Sequence, residues 1–167
     1  MEKELRLVSM KEAEIALDII EKAKKFLKEQ GIDQWQKGYP NMDSIKNDIN
    51  NGKGYFLVVD NKVACYFCLD FDGEPAYNNL NGEWKTNCPY AVIHRLAVKD
   101  EFRNSGIAGT VFSLVEELCK KKEIFSIRVD TDEANKIMLH TIDKNGFEYC
   151  GTIWFDNSVK IAYEKVL

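Results

Sequence analysis

Two periods of hydrophobic spacing alternate along this chain. Leu5-Arg-Leu-Val8 reads as a short strand. Ser9 and Glu12 then stand three apart, the spacing of a capping box. Ile15, Ile19, Ala23, Phe26 and Leu27 follow on one helical face until Gly31 ends the helix. Residues 34–40 read as a loop, and residues 42–50 as a short second helix, capped at Asp43 and ended by Gly52. Residues 54–59 and 62–69 form a hairpin about Asp60-Asn61, a two-residue turn sequence. Residues 70–89 are polar, contain Gly73, Pro75 and Gly82, and read as an extended loop. A strand over 90–98 precedes a helix over 105–122, whose apolar stripe is Ile107, Ala108, Val111, Phe112, Val115, Leu118 and Cys119. Residues 125–129 alternate as a strand. Asp132 is the expected cap of a helix that Gly146 terminates, and strands over 147–150 and 153–164 close the chain.

The predicted order is βααβββαβαββ. One mixed α/β sheet with helices on both faces buries these elements economically. No repeat, low-complexity tract or linker interrupts the 167 residues, so a single domain over 1–167 is expected.

Composition narrows the function classes. The net charge of -4 and pI of about 5.3 lack the basic footprint of a nucleic-acid binder. No apolar run approaches the roughly 20 residues that span a bilayer. Met1-Glu-Lys-Glu-Leu-Arg6 lacks the apolar core of a secretory signal, so a cytoplasmic location is expected, without membrane or nucleic-acid partners. The five cysteines cannot all pair with one another. Cys65-x-x-Cys68 has the spacing of a redox or zinc pair, but it lies inside a predicted strand and has no second pair or suitably spaced histidine. These cysteines, with Cys119 and Cys150, read as small apolar residues, and no metal is expected.

The chemistry-bearing stretch is Val98-Lys-Asp-Glu-Phe-Arg-Asn-Ser-Gly-Ile-Ala-Gly-Thr110, placed between a strand and a long helix. The first N–H groups of a helix have no acceptor within it and point beyond its end, where an anion fits. Gly106 and Gly109 let a ligand approach the backbone, and Arg103 adds a positive charge. Arg103-x-x-Gly106-x-Ala108 resembles the acetyl-CoA-binding signature of the GCN5-related N-acetyltransferase (GNAT) superfamily, Arg/Gln-x-x-Gly-x-Gly/Ala. A second stretch is similar to that family's late helix, Asn-x-x-Ala-x-x-Leu-Tyr-x-Lys-x-Gly-Phe, through Asn135, Lys144, Gly146 and Phe147. The order of elements is also the family's, so the resemblance covers nearly the whole chain.

The resemblance implies an acetyl-CoA-dependent N-acetyltransferase that needs no metal and acts directly on a primary amine, of a small molecule in the first reading and of a protein N-terminus or lysine in the alternative. It implies that the N–H groups of Asn104, Ser105, Gly106, Ile107, Ala108 and Gly109 hold the pyrophosphate. Leu96, Ala97 and Val98 would pair with the pantetheine arm as an added strand, with a backbone N–H near Leu96 as oxyanion donor. Asn135 would contact the pantetheine arm or phosphates, or else simply cap its helix, and Lys144 would lie near the adenosine end. Trp35 and Tyr39 fall where similar proteins bind substrate, and homodimers through the late strands are common among them. His94, in Ile93-His-Arg-Leu-Ala-Val98, resembles the catalytic histidine of arylalkylamine-type members; an unperturbed imidazole titrates near pH 6.5 and suits proton removal. A histidine held by hydrogen bonds within a sheet is the other reading. Strand alternation puts His94 on one face with Val92, Leu96 and Val98. The sequence departs from the pattern at Ile142, where many members carry a tyrosine as general acid. That departure leaves a non-catalytic acyl-CoA-binding module as a further alternative. Arg95 and Arg128 read as structural ion-pair residues, and Asp70, Asp72 and Glu74 as a solvated loop.

Overall fold

The structure is a computed structural model that describes residues 1–155 and 157–167. The elements are β1 (Lys3–Leu7), α1 (Ala13–Glu29), α2 (Met42–Asn50), β2 (Gly54–Val59), β3 (Lys62–Asp70), β4 (Asn81–Gly82), β5 (Ala91–Val98), α3 (Ile107–Lys121), β6 (Ser126–Asp132), α4 (Lys136–Lys144), β7 (Glu148–Phe155) and β8 (Ser158–Val166). Among the described residues, antiparallel strand pairs, a parallel pair (β5 with β6) and four helices give the expected mixed α/β class. The chain divides into two compact units, Met1–Leu69 with Arg95–Leu114, and Asp70–His94 with Val115–Leu167.

In the first unit β1, β2 and β3 form an antiparallel ladder, with Leu5 opposite Leu57 and Phe56 opposite Tyr66. Asp60 and Asn61 both take left-handed backbone (φ 48° and 66°), as a tight hairpin turn requires. Ala16, Ile19, Ile20 and Ala23 of α1 pack with Ile45 of α2 and with Phe56, Val58 and Tyr66 of the strands. The capping box is present: the Glu12 carboxylate accepts from the Ser9 N–H at 3.1 Å. The cap of α2 differs from expectation. Asn41, not Asp43, accepts from the Ser44 N–H at 3.0 Å, so the cap lies two residues earlier while the helix keeps its expected span. Residues 64–69 of β3 are buried on both faces, so both members of the Cys65/Cys68 pair are interior. Burial pushes the Cys65 thiol up to about 12, and it stays protonated at neutral pH.

In the second unit the ladder runs β6, β8, β7, β4. Two expectations fail here. The polar loop 70–89 contains a 3₁₀ turn (Pro75–Asn79) and the strand β4, and β7 continues through Gly151 to Phe155 instead of turning there. Both have one cause. Gly82 (φ 144°) and Gly151 (φ 150°) face each other across the β4–β7 pair. A Cβ on Gly82 would lie 2.1 Å from the Cys150 carbonyl oxygen, and one on Gly151 2.2 Å from that of Asn81. Gly151 therefore serves a close strand approach, which a sequence alone does not distinguish from a turn. Asp132 ends β6 and accepts from the Ala134 N–H at 2.9 Å; the cap of α4 is Asn135.

A buried ion pair anchors this unit. Glu164, with no exposed side-chain surface, lies 3.3 Å from Arg128 Nε. It accepts from the Lys85 N–H at 2.6 Å, from Thr86 Oγ1 at 2.6 Å and from Ser126 Oγ. The Arg128 guanidinium stacks on Trp84 and Tyr90, 4.2 and 3.9 Å from the ring centres. Burial alone would raise the Glu164 carboxyl, but the hydroxyl donors and Arg128 outweigh it and hold it below its usual range. Its contribution is thus complete above the usual carboxyl range and is lost as pH falls through the lowered folded value. Glu164→Gln is expected to destabilise the protein by about 3 kcal/mol at pH 7, because it leaves the Arg128 charge unpaired. In urea unfolding that deficit narrows as the pH drops below about 4; a deficit of constant size would show that the ionised form is not what stabilises.

Candidate functional site

After β5 the chain makes a 3₁₀ turn at Asp100–Phe102 and reaches α3 through a loop. Asn104 and Gly106 both adopt left-handed backbone (φ 60° and 71°). The second of these bends places the Gly106 carbonyl to accept from the Thr110 N–H at 3.1 Å, which begins the helix. The N–H groups of Ile107, Ala108 and Gly109 consequently have no acceptor within α3. Asn104, Ser105 and Gly106 are exposed, while Ile107 is buried and seats the first turn. A Cβ built on Gly106 meets nothing within 4 Å, so the backbone is open on that side. The helix dipole adds partial positive charge to the same end.

Arg103, at the start of this loop, is held by neighbours on both sides. Its Nε donates to Asp100 at 3.1 Å, Nη2 bonds the same carboxylate, and the guanidinium lies 3.6 Å from the ring centre of Phe26 in α1. Its charge is paired inside the unit, where it ties the 3₁₀ turn to α1 and shapes the loop.

Leu96, Ala97 and Val98 occupy the end of β5; Ala97 is buried and its two neighbours half-buried. Ala91, Val92 and Ile93 are all buried, as in a strand covered on both faces, and Arg95 takes φ 55°, which interrupts the extended backbone between His94 and Leu96. The Arg95 guanidinium grips Asp48 of α2 with two nitrogens, Nε to Oδ2 at 3.0 Å and Nη2 to Oδ1, and Nη1 bonds the Tyr39 hydroxyl. The Tyr66 hydroxyl donates to Asp48 Oδ2 at 2.5 Å. Burial opposes the Arg95 charge, but the bond to Asp48 outweighs it and raises the pKa. Tyr39 thus has its hydroxyl committed to Arg95, and Trp35 packs against the core of the first unit.

The second unit holds His94, Asn135 and Lys144. The His94 Nε2 lies 3.8 Å from Glu74 Oε1, with 18% of the side chain exposed. Glu74 is itself fixed: its N–H donates to the Tyr90 hydroxyl at 3.2 Å, and its other carboxylate oxygen accepts from the Ala76 N–H at 3.2 Å. Alongside Tyr90, Tyr77 donates to Asp130 at 2.7 Å, and burial raises that carboxyl's pKa. Asn135 is buried and its carbonyl oxygen accepts from the Met138 N–H at 3.2 Å, so it caps α4. Lys144 is exposed at the other end of that helix. Ile142, at the tyrosine position, is buried with 2% exposure and offers no proton.

The first unit therefore gathers Trp35, Tyr39, Leu96, Ala97, Val98 and the Arg103–Gly109 loop, the last held to α1 through Arg103. Residues 20–147 match the acetyltransferase (GNAT) family in sequence. The chain belongs to the GNAT acetyltransferase family. A GNAT-family acetyltransferase from Streptococcus agalactiae is 32% identical to this GNAT protein, with 99% of this chain and 95% of that one covered at a TM-score of 0.89. PaiA N-acetyltransferase from Thermoplasma acidophilum, solved in complex with coenzyme A, shares the fold at 21% identity, full coverage of both chains and a TM-score of 0.71. An aminoglycoside acetyltransferase solved with coenzyme A and kanamycin shares it at 15% identity, with 99% of this chain and 95% of that one covered at a TM-score of 0.71. No curated protein matches this chain in sequence.

Sequence reasoning missed Asp48 and underrated Glu74. Asp48 carried a signal: it falls three residues after Ile45, on the buried face of α2, where a carboxylate is out of place without a partner. Glu74 carried none, since its histidine is 20 residues away and brought near by the fold.

Proposed function

We propose that this protein is an acetyl-CoA-dependent N-acetyltransferase that moves the acetyl group directly to a primary amine of a small molecule. The observation that carries the reading is the open backbone of residues 104–109, with left-handed Asn104 and Gly106 leading into α3, in a chain of the GNAT family. The coenzyme A held by the PaiA and aminoglycoside enzymes of the same fold supports the cofactor, and the kanamycin of the latter supports a small-molecule amine.

The roles follow from the chemistry. The N–H groups of residues 104–109 bind the pyrophosphate. Leu96 to Val98 hold the pantetheine arm by strand-like hydrogen bonds, and the N–H near Leu96 donates to the carbonyl oxygen as negative charge develops there. His94 takes a proton from the amine as its nitrogen attacks the thioester carbon. Collapse restores the carbonyl and expels the thiolate. Ile142 has no proton to give, so the thiolate takes one from solvent. Asn135 acts by starting α4 correctly. Glu74 and Asp130, beside the aromatic rings of Tyr77 and Tyr90, favour a cationic acceptor. No described helix is long and apolar enough to cross a membrane.

Isothermal titration with acetyl-CoA, CoA and desulfo-CoA, followed by turnover on a panel of amines, tests this reading. Micromolar cofactor binding with transfer to at least one amine is expected. Tight binding without transfer to any amine would instead identify an acyl-CoA-binding module, the reading that Ile142 favours. No cofactor binding would remove both.

A further inference from the structure

Among the described residues, Arg95 is the one non-glycine residue inside a strand with a positive φ; the others lie in loops or turns. A side chain at such a backbone conformation persists only where its surroundings hold it there. The surroundings of Arg95 are unusually committed. Asp48 is 2% exposed and is one of two buried residues in α2, the other being Ile45. Its two oxygens take two guanidinium nitrogens and the Tyr66 hydroxyl, and the Tyr39 hydroxyl takes the third nitrogen. The buried carboxylate needs this cation, and the cation reaches it from a strand bent at residue 95. Arg95 sits between His94 and Leu96. The bend therefore sets the direction of the backbone N–H that follows it.

We propose that Asp48 and Arg95 form a positioning clamp: their ion pair, buttressed by Tyr39 and Tyr66, holds β5 in its left-handed bend and thereby aims the Leu96 N–H at the reacting carbonyl. The inference rests on the acetyltransferase reading above. It gives α2 and the Tyr39 loop a part in rate rather than in contact with the acceptor.

The test exploits glycine, which takes a left-handed φ unaided. Two double variants are compared with the wild type: Asp48→Asn with Arg95→Ala, and Asp48→Asn with Arg95→Gly. Both remove the ion pair without leaving a buried charge, and they differ only in the backbone preference at residue 95. The clamp predicts that the alanine pair loses about tenfold or more in kcat, since small misplacement of reacting groups is costly, while the glycine pair stays within about threefold of wild type. KM for acetyl-CoA changes less than kcat, and both pairs melt at a similar, lowered temperature. A merely structural role would lower both melting temperatures and leave both kcat values alike. Equal kcat values for the two pairs, whether fast or slow, would overturn the clamp while the active wild type keeps the acetyltransferase reading intact. A wild type that acetylates no amine would overturn that reading and this inference with it.

Discussion

Gly106→Asp is expected to abolish acetyl-CoA binding while the protein stays folded. The two halves of this result have separate causes. Residue 106 is exposed, a Cβ there meets nothing within 4 Å, and aspartate is among the residues that tolerate a left-handed φ such as the 71° found here. The fold therefore loses little. The proposed ligand would lose much, because the new carboxylate stands where the pyrophosphate would meet the N-terminus of α3. Like charges brought together at an interface cost several kcal/mol, and about 3 kcal/mol is a loss of more than a hundredfold in affinity. Calorimetry reads the affinity and thermal melting reads the fold. Unchanged acetyl-CoA affinity in a folded variant would remove the cradle from residues 104–109.

His94→Ala is expected to lower kcat/KM by about a hundredfold or more, the usual scale for loss of a general base, with acetyl-CoA affinity nearly unchanged. The imidazole is partly exposed, so an amine can reach it, and its Nε2 faces the Glu74 carboxylate at 3.8 Å. Its side chain is outside the 104–109 loop proposed to bind the cofactor, which separates the expected kinetic effect from cofactor binding. Steady-state turnover with the best amine of the panel measures it. Unchanged kinetics would make His94 a packing residue of β5 and move the proton transfer to solvent.

The legible part of this protein was the part encoded at short range. The Ser9–Glu12 capping box, the Asp60-Asn61 turn and the loop before α3 each rest on residues within a few positions of one another, and the structure contains all three. Element boundaries failed where a distant strand intervened. Gly151 reads as a turn until β4 is known to press against it, and the polar loop 70–89 reads as irregular until that pairing is seen. The partners of side chains were hidden for the same reason. Arg103 and Arg95 were both recognisable as cations, but their partners, Phe26 and Asp48, lie in α1 and α2.

By itself the sequence determined the order of strands and helices apart from β4, the glycine-bearing start of α3 and the family. Periodicity, capping and a helix terminus are local properties that survive without knowledge of the fold. Only the tertiary structure decided that Arg103 shapes its loop by pairing within its own unit, that β5 bends at Arg95, and that Glu74 faces His94. Each of these depends on burial, which makes a charge seek a partner, and on which partner the packing of remote segments supplies.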